Sequence, residues 1–403
     1  VCTTWQSVSR SDHLWRNLTR TIWHRHHLLH DTWQSEYHYR HRICSNFRTR
    51  RALHTNLVII PTTQQYANVG DNQNFLTCRR LAISDYHLAC GLVDGSIRLF
   101  DLITRIHVTT FLPQQREHLG LYARAVSGIV LTENQLVFGS LDGDLHVAVI
   151  GNAGGVDNLN NPNPNPRRVQ LGNVVTDGTL VDFTGCCRWW VGLYAGVPGQ
   201  SFHVWNAETE QLVFIGGSLT DPESVMGWHL LTEFIDSIGR VRIIMSSNQE
   251  SVVVVASTAV RLMSLEIRND DGMMIVLNEE QLMPVERRLI VDSVDVNSNT
   301  HRLMIVDNRR FARIRRVGVG DFEEVCRFRI RRGGGGRLMG CINGGCVFIW
   351  NGGMIRTWDA RQGEFLYNLM DRIGEVTALI ADDRHVACTC ADGTIHLWDF
   401  GAI

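Results

Sequence analysis

Lysine is absent from this chain. All 39 basic residues among its 403 are arginine, against 41 acidic ones, for a formal net charge of −2. Arginine keeps the charge but not the primary amine, the routine acceptor for acylation and isopeptide attachment. Either a GC-rich genome has favoured Arg codons or the amine itself has been removed. With the two signs nearly balanced, net charge predicts no affinity for nucleic acid or membrane. No apolar run reaches the eighteen or so residues that span a bilayer. The 11 cysteines form no Cys-x-x-Cys pair and no spacing with histidine. That argues for reduced thiols in an intracellular protein rather than a disulfide scaffold or a zinc site. A nucleophile elbow, a Gly-rich loop followed by Lys and a His-Glu-x-x-His motif are missing too, so no enzyme is expected. The first residue is Val1, so the chain reads as a fragment, and the lack of a signal peptide says nothing about targeting.

What is present is a repeat. Asp94-Gly95-Ser96-Ile97-Arg98-Leu99-Phe100-Asp101 returns as Asp392-Gly393-Thr394-Ile395-His396-Leu397-Trp398-Asp399, with degenerate copies between. Each copy pairs a tight Asp-Gly turn with a strand of alternating apolar and polar residues. Turn chemistry accounts for Asp94, Asp142 and Asp392. This is a WD-type repeat, and a propeller takes roughly 40–45 residues per blade, so one unit can absorb most of the length. The expected fold class is mainly β: a seven-bladed WD-type β-propeller over 57–403, preceded by a short helical segment and linker. Its third strands are placed near Ser96 to Phe100, Asp144 to Ala148, Ser201 to Trp205, Val260 to Leu265, Phe311 to Arg315, Met354 to Trp358 and Thr394 to Trp398.

Two insertions interrupt the repeat. Asn152 to Arg168, with its Asn-Pro run, has too little apolar surface to order itself and reads as a mobile loop. After Gly217, Asp221-Pro222-Glu223 has the cap, first-turn proline and early acid of a helix start. The tetraglycine Gly333 to Gly336 reads as a flexible hairpin connection. The chain ends just after the third strand of the last blade. A spare strand around Leu57 to Ile60 is expected to pair with Thr394 to Trp398 and close the ring.

Residues 1–52 lack period-two alternation and read as helices. Ser11 caps a helix carrying Leu14, Trp15, Leu18 and Ile22 at helical spacing. A second opens at Asp31 or Thr32, presents Trp33, Tyr37, Cys44 and Phe47 inward, and runs out in Arg48 to Arg51. His24, His26, His27 and His30 lack the Cys or carboxylate partners of a metal site and read as a solvated helix face; neither metal nor cofactor is expected. Cys388 and Cys390, two apart in a strand, share one face as small buried hydrophobes. Eleven arginines fall between Arg302 and Arg337. Arg313 with Arg315, and Arg327 with Arg329 and Arg331, alternate so that each set points to one face. Such a stripe either receives an acidic or phosphorylated segment or nucleic acid through bidentate guanidinium contacts, or coats an outer strand with charge against edge pairing.

Val1-Cys2-Thr3-Thr4-Trp5 followed by Leu14-Trp15-x-x-Leu18 is similar to the C-terminal half of an F-box. Joined through the linker Trp33-Gln-Ser-Glu-Tyr37 to Asn46-Phe47-Arg-Thr-Arg-Arg51 to a WD-type propeller, the chain resembles the plant F-box/WD-repeat proteins, substrate receptors of Skp-cullin-F-box ubiquitin ligases. The resemblance implies the C-terminal part of an F-box over 1–22, a helical linker over 23–56 and the propeller over 57–403. It implies a Skp-type adaptor, with cullin behind it, held by Val1, Trp5, Leu14, Trp15 and Leu18. The propeller would hold a protein substrate, PEAPOD/KIX-type repressor complexes, with Arg313, Arg315, Arg327, Arg329 and Arg331 as candidate contacts. The implied role is non-catalytic, in control of flower and organ development, in the nucleus and also the cytoplasm, without membrane or direct nucleic-acid binding. The N-terminal half of the F-box has no counterpart here, and Gly374-Glu375 stands where the repeat usually has Gly-His, so the buried hydrogen-bond network of such blades is expected to be incomplete. The rival reading is a transcription-associated propeller scaffold or co-regulator with no ubiquitin role. In a receptor that holds charged ubiquitin close, the missing lysines would resist self-modification.

Overall fold

The computed structural model describes residues 8, 10–23, 28–59, 77–114, 121–151, 165–218, 239–245, 252–258, 261–281, 291–298, 300–318, 321–331, 333 and 337–402. Val1, Trp5, the histidines at 24, 26 and 27 and the helix start expected at Asp221 lie outside the described residues.

Two helices come first, α1 (Asp12–Trp23) and α2 (Trp33–Thr49). Ser11 precedes α1 as expected, its carbonyl accepting from the Leu14 N–H at 3.1 Å. Thr32 caps α2, accepting from the Ser35 N–H at 3.1 Å, and Asp12 of α1 accepts from the Trp33 N–H at 3.2 Å, which ties the two helix starts together. The buried face of α2 is Trp33, Glu36, Arg40, Ile43, Asn46 and Phe47. Cys44 was expected on that face and is exposed, where its sulfur accepts from the Trp23 indole N–H at 3.4 Å.

The strands fold into up-and-down meanders, numbered here from β1 (Leu53–Val58) to β28 (Thr394–Asp399). Four separate sheets are β2–β5 (Cys78–Ile83, His87–Leu92, Ile97–Asp101, His107–Phe111), β14–β17 (Gly239–Met245, Val252–Thr258, Arg261–Ile267, Met274–Gln281), β18–β21 (Val291–Asn297, Arg302–Asp307, Phe311–Val317, Phe322–Arg329) and β22–β25 (Met339–Ile342, Cys346–Trp350, Met354–Asp359, Phe365–Asp371). A fifth four-stranded sheet, in the order β1-β28-β27-β26, adds β26 (Val376–Ala381) and β27 (His385–Cys390). The remaining sheet has eight strands. In it β6–β9 (Val126–Leu131, Gln135–Ser140, Leu145–Val149, Arg167–Gln170) joins β10–β13 (Thr179–Gly185, Trp189–Ala195, Phe202–Asn206, Leu212–Gly216) through one parallel pair, Gly128 with Phe183. The expectation of seven separate blades is therefore corrected: five sheets stand alone and one is a fusion. Gly128 is the physical reason, since a Cβ there would lie 2.1 Å from the Phe183 carbonyl oxygen.

The first strand of each meander (β2, β6, β10, β14, β18, β22, β26) touches the next, and β26 returns to β2. They line a central channel, and later strands lie outward: a β-propeller. Apolar side chains from adjacent meanders interleave, as where Leu88, Cys90 and Leu92 of β3 meet Ala387, Ile395 and Leu397 of the closing sheet. Strands covered on both sides are buried nearly throughout, so β3 is buried at every position after His87. The Asp-Gly turns form as read: Asp94 accepts from the Ser96 N–H at 2.8 Å and Asp392 from the Thr394 N–H at 2.9 Å, with Gly95 and Gly393 at φ 87° and 81°. Cys388 and Cys390 are buried with Cys341 and Cys346 in the core of the last two meanders.

Closure uses the expected partner in a shifted frame. β1 pairs antiparallel with β28, Leu57 opposite Ile395 and Val58 opposite Thr394, but it opens at Leu53, inside the residues assigned to the linker. Two readings of flexible loops are corrected as well. Arg167 and Arg168, placed in the mobile insertion, belong to outer strand β9, held by an ion pair from Arg168 to Asp144 at 3.0 Å. Gly333 is not in a hairpin connection, because it lies between β21 and β22 of different sheets, and it passes so close to Asn351 that a Cβ would lie 2.2 Å from its carbonyl oxygen. The indole N–H groups of Trp189, Trp205 and Trp350 are buried without an acceptor, in keeping with an incomplete blade network.

Candidate functional site

The helical hairpin is fastened to one face of the propeller. Phe47 stacks on Phe400 with ring centroids 3.9 Å apart, the Asn46 amide donates to the Phe400 carbonyl at 2.8 Å, and the Tyr367 hydroxyl donates to the Phe47 carbonyl. Arg40 reaches Asp383 at 3.5 Å and Arg48 reaches Asp359 at 3.6 Å. Behind this contact Glu36 is fully buried. Burial pushes its carboxyl up, but His30 at 2.9 Å and Arg40 at 2.7 Å outweigh that and hold it below the usual range. His30, read as solvated, is thus a partner of a buried acid. Asp383 lies between β26 and β27, Phe400 follows β28, and Asp359 ends β24, so these contacts gather at one end of the strands.

On α1, Trp15 and Trp23 pack on Tyr37 with centroids 5.0 Å and 5.2 Å away, and Thr19 is buried. Leu14 and Leu18 are half-buried and Ile22 is 45% exposed, so an apolar stripe at positions four apart on α1 keeps part of its surface open. Of the residues named for an adaptor, Trp15 turns inward and Leu14 and Leu18 lie on that stripe.

The arginine stripe is divided. Arg313 stands opposite Arg327 across β20 and β21, and the Arg327 guanidinium lies over the Phe311 ring at 4.3 Å. A register shift follows Ile314, and Arg315 is buried against Glu280 of the neighbouring sheet. Arg313 is half-buried 3.8 Å from Asp307, whereas Arg327, Arg329 and Arg331 are exposed.

The channel holds a second set of charges that sequence reasoning missed. Asp182, 1% exposed, faces Arg242 at 2.8 Å, Arg80 at 3.4 Å and Arg240 at 3.9 Å, and accepts from the Val241 N–H at 3.0 Å. Arg80 also donates to the Ser127 carbonyl at 2.7 Å and the Val181 carbonyl at 3.3 Å, so it laces three inner strands together around a cavity of about 440 Å³. Burial pushes the Asp295 carboxyl up, against the opposing pull of Arg242. A recess of about 660 Å³ adjoins this channel, with Arg79, Arg337, Trp350 and Glu375 in its walls. These residues come from separate stretches of chain and form no motif. The one readable signal was arginine inside strands otherwise apolar, at Arg79-Arg80 and Arg240-x-Arg242.

Among the described residues no group of three or more His, Cys, Asp or Glu is placed to hold a metal ion, and no helix is long and apolar enough to cross a membrane.

No protein-family model matches the chain. The propeller domain of Myceliophteria thermophila Cps50 (Swd1) is similar in structure, with a TM-score of 0.55 at 12% identity over 86% of this chain and 99% of that one. The Dos1 propeller follows at a TM-score of 0.53 and 10% identity, over 81% of this chain and 78% of its own. Both likenesses concern the fold alone. In sequence, the transcriptional regulator STERILE APETALA of Arabidopsis thaliana is 46% identical over 407 aligned residues, spanning 100% of this chain and 84% of that protein. Identity at that level along the full length is beyond what a shared fold produces, and the chain belongs to the STERILE APETALA family.

Proposed function

We propose that this protein is the non-catalytic substrate receptor of a Skp-cullin-F-box ubiquitin ligase. The helices hold it to the ligase and the propeller holds the protein to be modified. One observation carries the reading: the hairpin is clamped to one end of the strands with the stripe Leu14, Leu18 and Ile22 partly open, while the recess lies at the other end. Two partners can then be bound at once without competing, and holding them together converts a bimolecular encounter into a local one. The resemblance to F-box/WD-repeat proteins adds PEAPOD/KIX-type repressor complexes as the substrate, control of flower and organ development as the setting and the nucleus as the place.

The test is to purify the tagged full-length protein from plant cells and probe for a Skp-type adaptor and cullin. Both should accompany the parent and be lost with Leu14→Glu/Leu18→Glu, the propeller's melting temperature staying within a few degrees. A full-length protein that brings down neither argues for the second reading, favoured by the relative's designation as a transcriptional regulator: a nuclear scaffold that joins regulators without ubiquitin.

A further inference from the structure

We propose that the outer edge of β21 is a contact between two copies of this chain, docked antiparallel about a two-fold axis through the middle of that strand. The proposal does not depend on the receptor reading above.

β21 is the outermost strand of its sheet: it pairs with β20, and its other edge is open. An open edge is a template for another chain, and charge of one sign is a common way to block it. Among the described outer strands, β1, β5 and β13 carry no Asp, Glu or Arg, β9 carries only arginines, and β17 and β25 carry only acids. β21 alone holds both signs, and it sorts them by position. Glu323 and Glu324 stand at its start and Arg327 and Arg329 at its end, with Asp321 before it and Arg331 after it.

A bulge gathers this pattern on one face. Phe311, Arg313 and Arg315 of β20 stand opposite Arg329, Arg327 and Glu324, the register slipping past Val325. Alternate residues of β20 share a face, so Glu324 shares the face of Arg327 and Arg329, whereas an unbroken strand would put it on the other. All three are exposed. Glu323, on the opposite face, is taken up by Arg316 at 3.2 Å, while Glu324 and Arg329 are in no ion pair among the described residues. Arg327 is held over the Phe311 ring at 4.3 Å.

Two such strands approaching antiparallel set the acid of each copy against the arginines of the other, once on each side of the axis, as an isologous contact requires. A parallel approach sets arginine against arginine. The acidic strands β17 and β25 of another copy would answer the arginines but not Glu324. Exposed ion pairs alone contribute little, and the rim beside β21 supplies apolar surface as well. Phe328 stacks on Trp358 at 5.2 Å, and Trp358 meets the ring of Phe365 at 6.0 Å, itself 55% exposed.

The experiment measures the mass of the full-length protein by sedimentation over a hundredfold range of concentration, at low and at high salt. The parent should sediment as a dimer at low salt, with a dissociation constant at least tenfold weaker at high salt. Glu324→Arg makes the exposed face basic throughout, and Arg327→Glu/Arg329→Glu makes it acidic throughout. Each variant alone should be monomeric with its melting temperature unchanged, and an equimolar mixture of the two should recover a dimer, because their charges again match. That recovery separates a charge-matched contact from damage to the fold. A parent that is monomeric at every concentration, a dimer that survives in both variants, or a mixture of folded variants that stays monomeric would each overturn the proposal.

Discussion

His146 is 1% exposed, stacks on Phe138 with centroids 5.1 Å apart, and has no hydrogen-bond partner on either ring nitrogen. Burial, helped by the charge of Arg168, lowers its pKa to about 4. His203, stacked on Tyr194 at 3.9 Å, is lowered by burial to about 4 as well. The unfolded chain takes up these protons near pH 6.5 and the folded one only near 4. Each histidine therefore contributes stability that is complete above about pH 6.5 and is lost as pH falls toward 4, on the order of 3 kcal/mol apiece. The melting temperature should drop steeply across that window. His146→Phe keeps the stacked ring and removes two unpaired nitrogens, so it should leave stability at pH 7.5 unchanged or higher and flatten the acid limb. An unaltered acid limb in that variant would move the titration elsewhere. Neither histidine stood out in the sequence, where each was a polar residue in an alternating strand; its burial follows from packing by the adjacent meander.

At the scale of elements, two contacts decide the architecture. β1 satisfies the open edge of β28, with Leu57 buried opposite Ile395. Leu57→Asp should cost about 2–4 kcal/mol, read as a fall in the urea midpoint, and removal of residues 1–59 should yield a chain that aggregates or unfolds without cooperativity. A soluble truncation with the parent's midpoint would show that the edge needs no cover. The other contact is the fusion at Gly128. Gly128→Val drives a side chain into the Phe183 backbone and should destabilise by roughly 3 kcal/mol; a neutral result would mean that β6 and β10 part freely.

These contacts also mark how far the sequence could be read. The third strands fell where Asp-Gly and alternation placed them, because turn and strand chemistry are local: Thr394 to Trp398 is β28 and Met354 to Trp358 lies in β24. Gly128 carries no such local signal, since its role depends on a carbonyl 55 residues away. Cys44 has helical spacing suited to either side of α2, and only the position of Trp23 decides it. Arg315 alternates correctly with Arg313, yet a register shift and Glu280 on another sheet remove it from the surface.

At the scale of the whole molecule, the proposed receptor role gives the missing lysines a physical setting. A receptor that keeps ubiquitin transfer close to its bound substrate also keeps its own surface close, and effective concentration acts on both. Every basic residue here is an arginine, including exposed ones such as Arg329 and Arg361. Each keeps the charge and solubility of a lysine without the acceptor amine. Arg384 is unsuitable as a probe, because its guanidinium makes a two-pronged pair with Asp399 at 2.8 Å and 2.7 Å that lysine would not reproduce. Arg329→Lys and Arg361→Lys restore an amine at exposed positions with no change of charge, so folding should be preserved to within about 0.5 kcal/mol. In cells these variants should show more self-ubiquitination and a shorter half-life than the parent, and an inhibitor of cullin activation should erase the difference. Equal modification and lifetime would leave codon bias as the sufficient reason for a chain without lysine. A shortened lifetime insensitive to that inhibitor would locate the modification outside the proposed ligase.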